Sequence, residues 1–78
     1  MNPRMQAAIT DAATRAQRDR QQIQDAVLEQ VPWHCAAKVD ELSDRSGFAA
    51  STLAANLMIL VTTGHVRRLP GGRFQRIA

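Results

Sequence analysis

Cysteine, aromatic residues and long apolar runs are all scarce in this 78-residue chain. The single cysteine, Cys35, has no partner for an internal disulfide, which predicts a reducing, cytoplasmic environment. The longest apolar run, residues 57–61, is too short to cross a bilayer, and charges interrupt the N-terminus, so we expect neither membrane contact nor a signal peptide. Only three aromatic residues are available, so a small aliphatic core must hold a chain near the lower size limit for independent folding.

Acidic residues are missing from the C-terminal part of the chain. Residues 1–44 carry five basic and seven acidic side chains, whereas residues 45–78 carry five arginines and no acid. Four of these five are clustered: Arg67, Arg68, Arg73 and Arg76. Arg pairs with phosphate through two hydrogen bonds, so the cluster favours contact with nucleic acid. The alternative is that these arginines only keep an exposed strand edge soluble.

No combination of residues indicates catalysis or a bound cofactor. His34 and Cys35 are adjacent but lack the further ligands that a zinc site needs and the orienting group that a cysteine nucleophile needs. Gly71-Gly72 precedes no helix, so it is not a phosphate-binding loop. We therefore expect no enzymatic activity, no metal site and no cofactor.

Glycine and proline divide the second half of the chain into short elements. Residues 39–46 predict a helix that ends at Gly47, and residues 50–63 predict a second helix that ends at Gly64, because glycine tolerates the positive φ that follows a helix. Phe48 is expected as a buried plug in the turn between them. In the second helix the spacing of three leucines predicts one buried face, formed by Leu53, Leu57 and Leu60.

Two short runs follow, residues 65–69 and 73–77, joined by Pro-Gly-Gly, which predicts a β-hairpin. Residues 36–38 could add a third strand. Phe74 and Ile77 cannot share one face of a regular strand, so we expect a bulge or a frayed end there. Helix, turn, helix and hairpin form the order of a winged helix-turn-helix.

Three segments carry a resemblance to a known family: VDELSDRSG, then F-x-x-S-x-L-x-x-x-L-x-x-L, then GHVRRLPGGRFQR. Together they resemble the C-terminal winged-helix domain of the bacterial DNA-processing protein A (DprA) family, over about half of the chain. The resemblance implies an α+β fold, mostly α with a small β-hairpin. These 78 residues do not include the family's large nucleotide-fold domain, which carries its single-strand binding, so we do not expect the single-strand loading activity here. Family members tend to begin these helices with Ser, Thr or Pro, whereas this chain has Lys38 and Ala49. Either Asp40 and Ser51 cap shifted starts, or both helices begin loosely.

The N-terminal part predicts one long helix. Asn2 and Pro3 form a helix start, and no Gly or Pro follows until Pro32, so residues 3–30 could be one helix roughly 40 Å long. We divide the chain into an extension, residues 1–20, and a winged helix-turn-helix domain, residues 21–78. The last third of the helix is expected to face the core through Ile23, Val27 and Val31.

The extension has two interpretations. Ile9, Ala16 and Ile23 lie seven residues apart, while Ala12 and Ala26 partly fill a second seam that Asp19 interrupts. This pattern predicts either a dimerisation helix or an extension that frays or folds back on its own domain. Trp33, the only tryptophan, is expected as a packing lid over this helix.

The leading hypothesis is a small bacterial or phage winged-helix protein that binds double-stranded DNA as a homodimer, as a transcriptional regulator or accessory factor. The second helix of the motif would enter the major groove and the hairpin arginines would hold phosphates, with two flanking contacts. The predicted DNA-binding residues are Lys38, Arg45, Ser51, Thr52, Asn56, Arg67, Arg68, Arg73 and Arg76.

The groove-facing surface of that helix has no Arg, Lys or Gln, and Met58 and Ile59 are expected near its surface. This favours the alternative hypothesis, a protein–protein adaptor or a phage or mobile-element inhibitor on the same fold. A third hypothesis is a structural oligomer built by the N-terminal helix.

Overall fold

The computed structural model describes residues 2–78. Its elements are three helices and three short strands, in the order α1, Pro3–Gln30; β1, Ala37–Lys38; α2, Val39–Ser46; α3, Ala50–Thr62; β2, Val66–Leu69; and β3, Arg73–Arg76. The strands form one antiparallel sheet in the order β1-β3-β2. The predicted α+β winged helix-turn-helix is confirmed, including the third strand.

Helix α1 is continuous over 28 residues and projects from the rest of the molecule. It begins as predicted, with Asn2 at the N-cap accepting a hydrogen bond from the Arg4 backbone N–H at 2.9 Å. Residues 3–23 are all exposed, and Val27 is the only fully buried residue of the helix. The projection explains the radius of gyration of 15.8 Å, since a compact 78-residue domain would have about 11.5 Å.

The turn between α2 and α3 is held by short polar contacts. Gly47 lies in the left-handed region at φ 79°, as its position after the helix predicts. The Ser46 hydroxyl accepts a hydrogen bond from the Phe48 N–H at 3.1 Å, and the Ser43 hydroxyl donates to the Phe48 carbonyl at 2.7 Å. Phe48 is partly buried and packs against the core, so it fills the turn less completely than expected.

The first residues of α2 and α3 show whether these helices have shifted, capped starts or begin loosely. The N-caps are Lys38 and Ala49, and neither makes a side-chain capping bond, so both helices begin loosely and the starts are not shifted. Helix α3 ends in two backbone bonds, from the His65 N–H to the Leu60 carbonyl and from the Gly64 N–H to the Val61 carbonyl. This pairing is the Schellman motif, which uses the positive φ of a glycine.

The core lies where α1, α2, α3 and the sheet meet. It is entirely aliphatic apart from one phenylalanine, and its buried members are Val27, Val31, Ala37, Leu42, Leu53, Leu57, Leu60, Val66 and Phe74. The predicted leucine face of α3 is therefore confirmed. No buried side-chain nitrogen or oxygen in residues 2–78 lacks a hydrogen-bond partner.

One sequence expectation about packing is wrong. Ile23 is 38% exposed and does not join the core, because α1 is only half-buried at Gln24 and Ala26 and is first fully covered at Val27. Trp33 is 48% exposed, and Arg76 of β3 lies over its ring.

Phe74 and Ile77 do not lie on the same strand. Strand β3 stops at Arg76, and Ile77 is half exposed beyond it, so the two residues never need to share a strand face.

None of the helices in residues 2–78 combines the length and the apolar character needed to cross a membrane.

Candidate nucleic-acid interface

The strand register divides the hairpin arginines between two faces of the sheet. Arg67 lies opposite Gln75 and Leu69 opposite Arg73, whereas Val66 lies opposite Arg76 and Arg68 opposite Phe74. Residues that lie opposite each other share a face, and neighbours along a strand alternate. Val66 and Phe74 face the core, so Arg76 and Arg68, which lie opposite them, are on the inner face of the sheet. Arg67 and Arg73 lie on the outer face.

The outer face is a basic surface with one fixed arginine. Lys38 of β1 lies opposite Arg73 of β3, so the face carries Lys38, Arg73 and Arg67 on three neighbouring strands. The Arg67 guanidinium donates to the Gln75 side-chain oxygen at 2.9 Å, and the Gln75 amide donates to the Trp33 carbonyl at 2.8 Å. These bonds hold Arg67 along the sheet with its remaining N–H groups available.

The inner-face arginines differ from each other. The Arg76 guanidinium carbon lies 4.4 Å from the centroid of the Trp33 ring, within cation–π distance. Its Nε also donates to the Ala78 carbonyl at 3.2 Å, so the side chain is held close to the protein and is partly buried. Arg68 is exposed and makes no side-chain hydrogen bond within residues 2–78, so it is the more available of the two.

The remaining predicted contacts lie on the helices. Arg45 is exposed in the last turn of α2, and Ser51 is exposed in the first turn of α3. Thr52 and Asn56 are half-buried, and the Asn56 amide donates to the Thr52 carbonyl at 2.8 Å. That bond occupies one Asn56 donor, which reduces what this residue can offer to a base edge.

The solvent-facing side of α3 is uncharged. It is formed by Ser51, Ala55, Met58, Ile59 and Thr62, and the whole helix contains no Asp, Glu, Lys or Arg. Met58 is 50% exposed and Ile59 43%, which confirms that both lie at the surface. This face could meet thymine methyl groups or an apolar protein surface, but it has no bidentate side chain for reading guanine.

Comparison with known proteins places this arrangement in a family. The family described as the DprA winged helix domain matches residues 11–72, which is most of the chain. The chain belongs to the DprA winged helix domain family. A search of curated proteins and a search of solved structures each found no match.

Reasoning from the sequence did not identify the residue that connects the hairpin of this DprA winged helix domain to the segment before β1. Gln75 was not among the predicted site residues, yet it joins Arg67 to the Trp33 backbone across 42 positions of the sequence. No local pattern points to such a contact, because a polar residue in a short strand is ordinary. Cys35 is exposed, and residues 2–78 contain no group of three or more His, Cys, Asp or Glu placed to hold a metal ion.

Proposed function

We propose that this winged helix domain binds double-stranded DNA as a transcriptional regulator or accessory DNA-binding factor, with the hairpin on the phosphates and α3 towards the major groove. The observation that carries the proposal is the charge of the hairpin. Its two strands hold four arginines, and no acid lies anywhere from residue 45 to the C-terminus. The hairpin therefore has no carboxylate side chain of its own that would compete with phosphate for these guanidinium groups.

The hairpin can approach the DNA phosphate backbone with either face of its sheet. Lys38, Arg67 and Arg73 offer three cations on the outer face, while Arg68 extends from the inner face near the hairpin tip. Holding Arg67 against Gln75 lowers the side-chain entropy lost on binding, because its position is already restricted. Arg45 at the end of α2 would supply a flanking phosphate contact.

Helix α3 sets the expected specificity. Its exposed face offers Ser51 and small or apolar side chains, with Thr52 and Asn56 at its half-buried margin. A good bidentate contact is worth about 1–3 kcal/mol of discrimination between bases, and this face carries no such side chain. We therefore infer modest sequence preference and an affinity that depends mainly on phosphate contacts.

The proposal includes a homodimer formed through the N-terminal helix. The support is the long exposed surface of α1, on which Met5 is 59% exposed and Ile9 55%. A dimer would join two basic hairpins and strengthen binding to one duplex by raising their effective concentration. The proposal assigns no catalytic step to the chain.

Fluorescence anisotropy of a labelled random-sequence duplex tests the DNA proposal. The protein is titrated at about 50 and 200 mM salt, because counterion release makes log K fall linearly with log salt, with a slope of about −0.9 per neutralised phosphate. We expect binding that weakens steeply with salt and varies little among duplex sequences. Absence of binding at the lower salt would eliminate the hairpin as a DNA clamp.

A second candidate function is a protein-binding adaptor or inhibitor. The observation that favours it is the apolar pair Met58 and Ile59, half exposed on a helix with no charge. Pull-down from a lysate with and without nuclease separates the two functions. A specific partner retained after nuclease treatment, and lost on Met58→Asp, would support the adaptor, whereas a partner lost with the nucleic acid would support DNA binding.

A further inference from the structure

An exposed stripe runs along α1 with the spacing of a coiled-coil seam. Its members are separated alternately by four and three residues, which is the spacing of the a and d positions of a heptad. The stripe consists of Met5, Ile9, Ala12, Ala16, Asp19, Ile23 and Ala26. All except Ala26 are exposed, and Met5, Ile9 and Ile23 are among the large apolar residues that the fold leaves uncovered.

The projecting part of α1 lacks tertiary support. Residues 3–23 are exposed throughout, so within the described chain no packing stabilises this segment. Helices draw most of their stability from packing of an amphipathic face, and intrinsic propensity alone leaves isolated helices marginal. A partner on the stripe would supply that packing.

Charge decides how a second copy can lie on the stripe. In a parallel pair, each seam position faces its own counterpart, so the Asp19 carboxylates would meet at the interface. Positions g and e of the next heptad also face each other, which brings Arg15 of one copy to Arg20 of the other on both edges. Like charges at these positions oppose pairing, so the parallel arrangement is disfavoured.

An antiparallel pair with Ala12 opposite Ile23 moves Arg15 and Arg20 of opposing copies to different edges. It also offsets the two Asp19 residues by about 4.5 Å along the axis instead of placing them directly opposite each other. When Ala12 lies opposite Ile23 of the second copy, Ala16 lies opposite Asp19. In this register each isoleucine of the seam meets an alanine, so large and small side chains alternate across it. Arg15, adjacent to Ala16, then lies one residue along the axis from the opposing Asp19 and can pair with it.

We propose that a second copy of this chain binds the α1 stripe in antiparallel orientation, with Ala12 opposite Ile23. This deepens the proposed homodimer by assigning its geometry, and it can be tested without DNA. The two winged domains then lie at opposite ends of the helix pair, with their Val27 residues separated by about 29 Å along its axis. One turn of B-DNA is about 34–36 Å, so two half-sites roughly one turn apart would suit such a dimer.

Disulfide trapping tests the orientation. The exposed Cys35 is first replaced by Ser, and Ala12→Cys and Ile23→Cys are made separately in that background, one with a mass tag. Both sites are exposed, so neither change disturbs the core. In the proposed register positions 12 and 23 are adjacent, whereas the two copies of position 12 are about 17 Å apart along the axis. A disulfide needs Cα atoms closer than about 7 Å.

The matched control combines Thr14→Cys with Gln21→Cys. These two positions are at the same height along the proposed pair but on its outer surfaces, so random collision should cross-link them as readily as any exposed pair. We expect the mixed 12–23 disulfide to form at least about tenfold faster than the 12–12 and 23–23 disulfides or the 14–21 control, because only that pair lies within bonding distance.

Three results would overturn the proposal. Rapid 12–12 and 23–23 disulfides would indicate a parallel dimer, which keeps the dimer but refutes its orientation. Equal rates for the 12–23 pair and the 14–21 control would mean that the stripe does not pair. A monomer by sedimentation at the trapping concentration would exclude the homodimer itself. None of these results bears on DNA binding by the hairpin, which the anisotropy titration measures separately.

Discussion

Removing Arg67 and Arg73 together is the most direct test of the basic hairpin. Both lie on the outer face of the sheet, so Arg67→Ala with Arg73→Ala removes two charges from one surface and leaves the inner face intact. If each contacts one phosphate, the slope of log K against log salt becomes less steep by about 1.8. Between 50 and 200 mM salt, the loss of affinity should then be about twelvefold smaller than for the unmodified chain.

Anisotropy with the same random duplex measures this change. The matched control is Arg4→Ala with Arg18→Ala, which removes equal charge from exposed positions on α1. The control should leave the slope almost unchanged, because these residues lie on the extension rather than the hairpin. The hairpin variant should remain folded, since the Arg67 to Gln75 hydrogen bond is exposed and a typical hydrogen bond contributes only about 0.5–1.5 kcal/mol net.

Equal slopes for the hairpin variant and the unmodified protein would refute the outer-face contact. The reciprocal pair, Arg68→Ala with Arg76→Ala, then shows whether the inner face is used instead. Equal, small changes in all three variants would mean that binding follows net charge alone and that the hairpin has no specific part in it.

Three further predictions concern the helices of the motif. Ala49→Ser should stabilise the fold by about 1 kcal/mol in urea unfolding, because Ala49 is an N-cap without a capping bond; no gain would mean that the start of α3 is already satisfied. Leu57→Ala should cost about 2–5 kcal/mol in the same assay, because Leu57 is fully buried; a smaller cost would mean that the core collapses around the gap. Met58→Lys should tighten duplex binding and steepen the salt slope by about 0.9, because position 58 is exposed on the proposed groove-facing side of α3; unchanged binding would favour the adaptor function.

The sequence alone determined the elements and their limits because these depend on short-range chemistry. Gly47 and Gly64 stop two helices through their positive φ, and both are found in that conformation. The leucine spacing of α3 defined its buried face, since a 3.6-residue period leaves little choice once the helix is recognised. The charge distribution that motivates the DNA proposal is also a property of the sequence. The sequence does not show which of these charges lie on the same surface.

Only the tertiary structure decided which of these charges act together. The register between β2 and β3 places Arg67 and Arg73 on one face and Arg68 and Arg76 on the other. One residue of slippage would instead have grouped Arg67 with Arg76 and Arg68 with Arg73. The surroundings of Trp33 depend on Gln75 and Arg76, more than forty positions later in the chain, so no local pattern could predict that its ring would be half exposed under a guanidinium group. Ile23 was misplaced for a similar reason: the helical period gives the direction of a side chain, but where the domain begins to cover the helix depends on how α3 packs against α1.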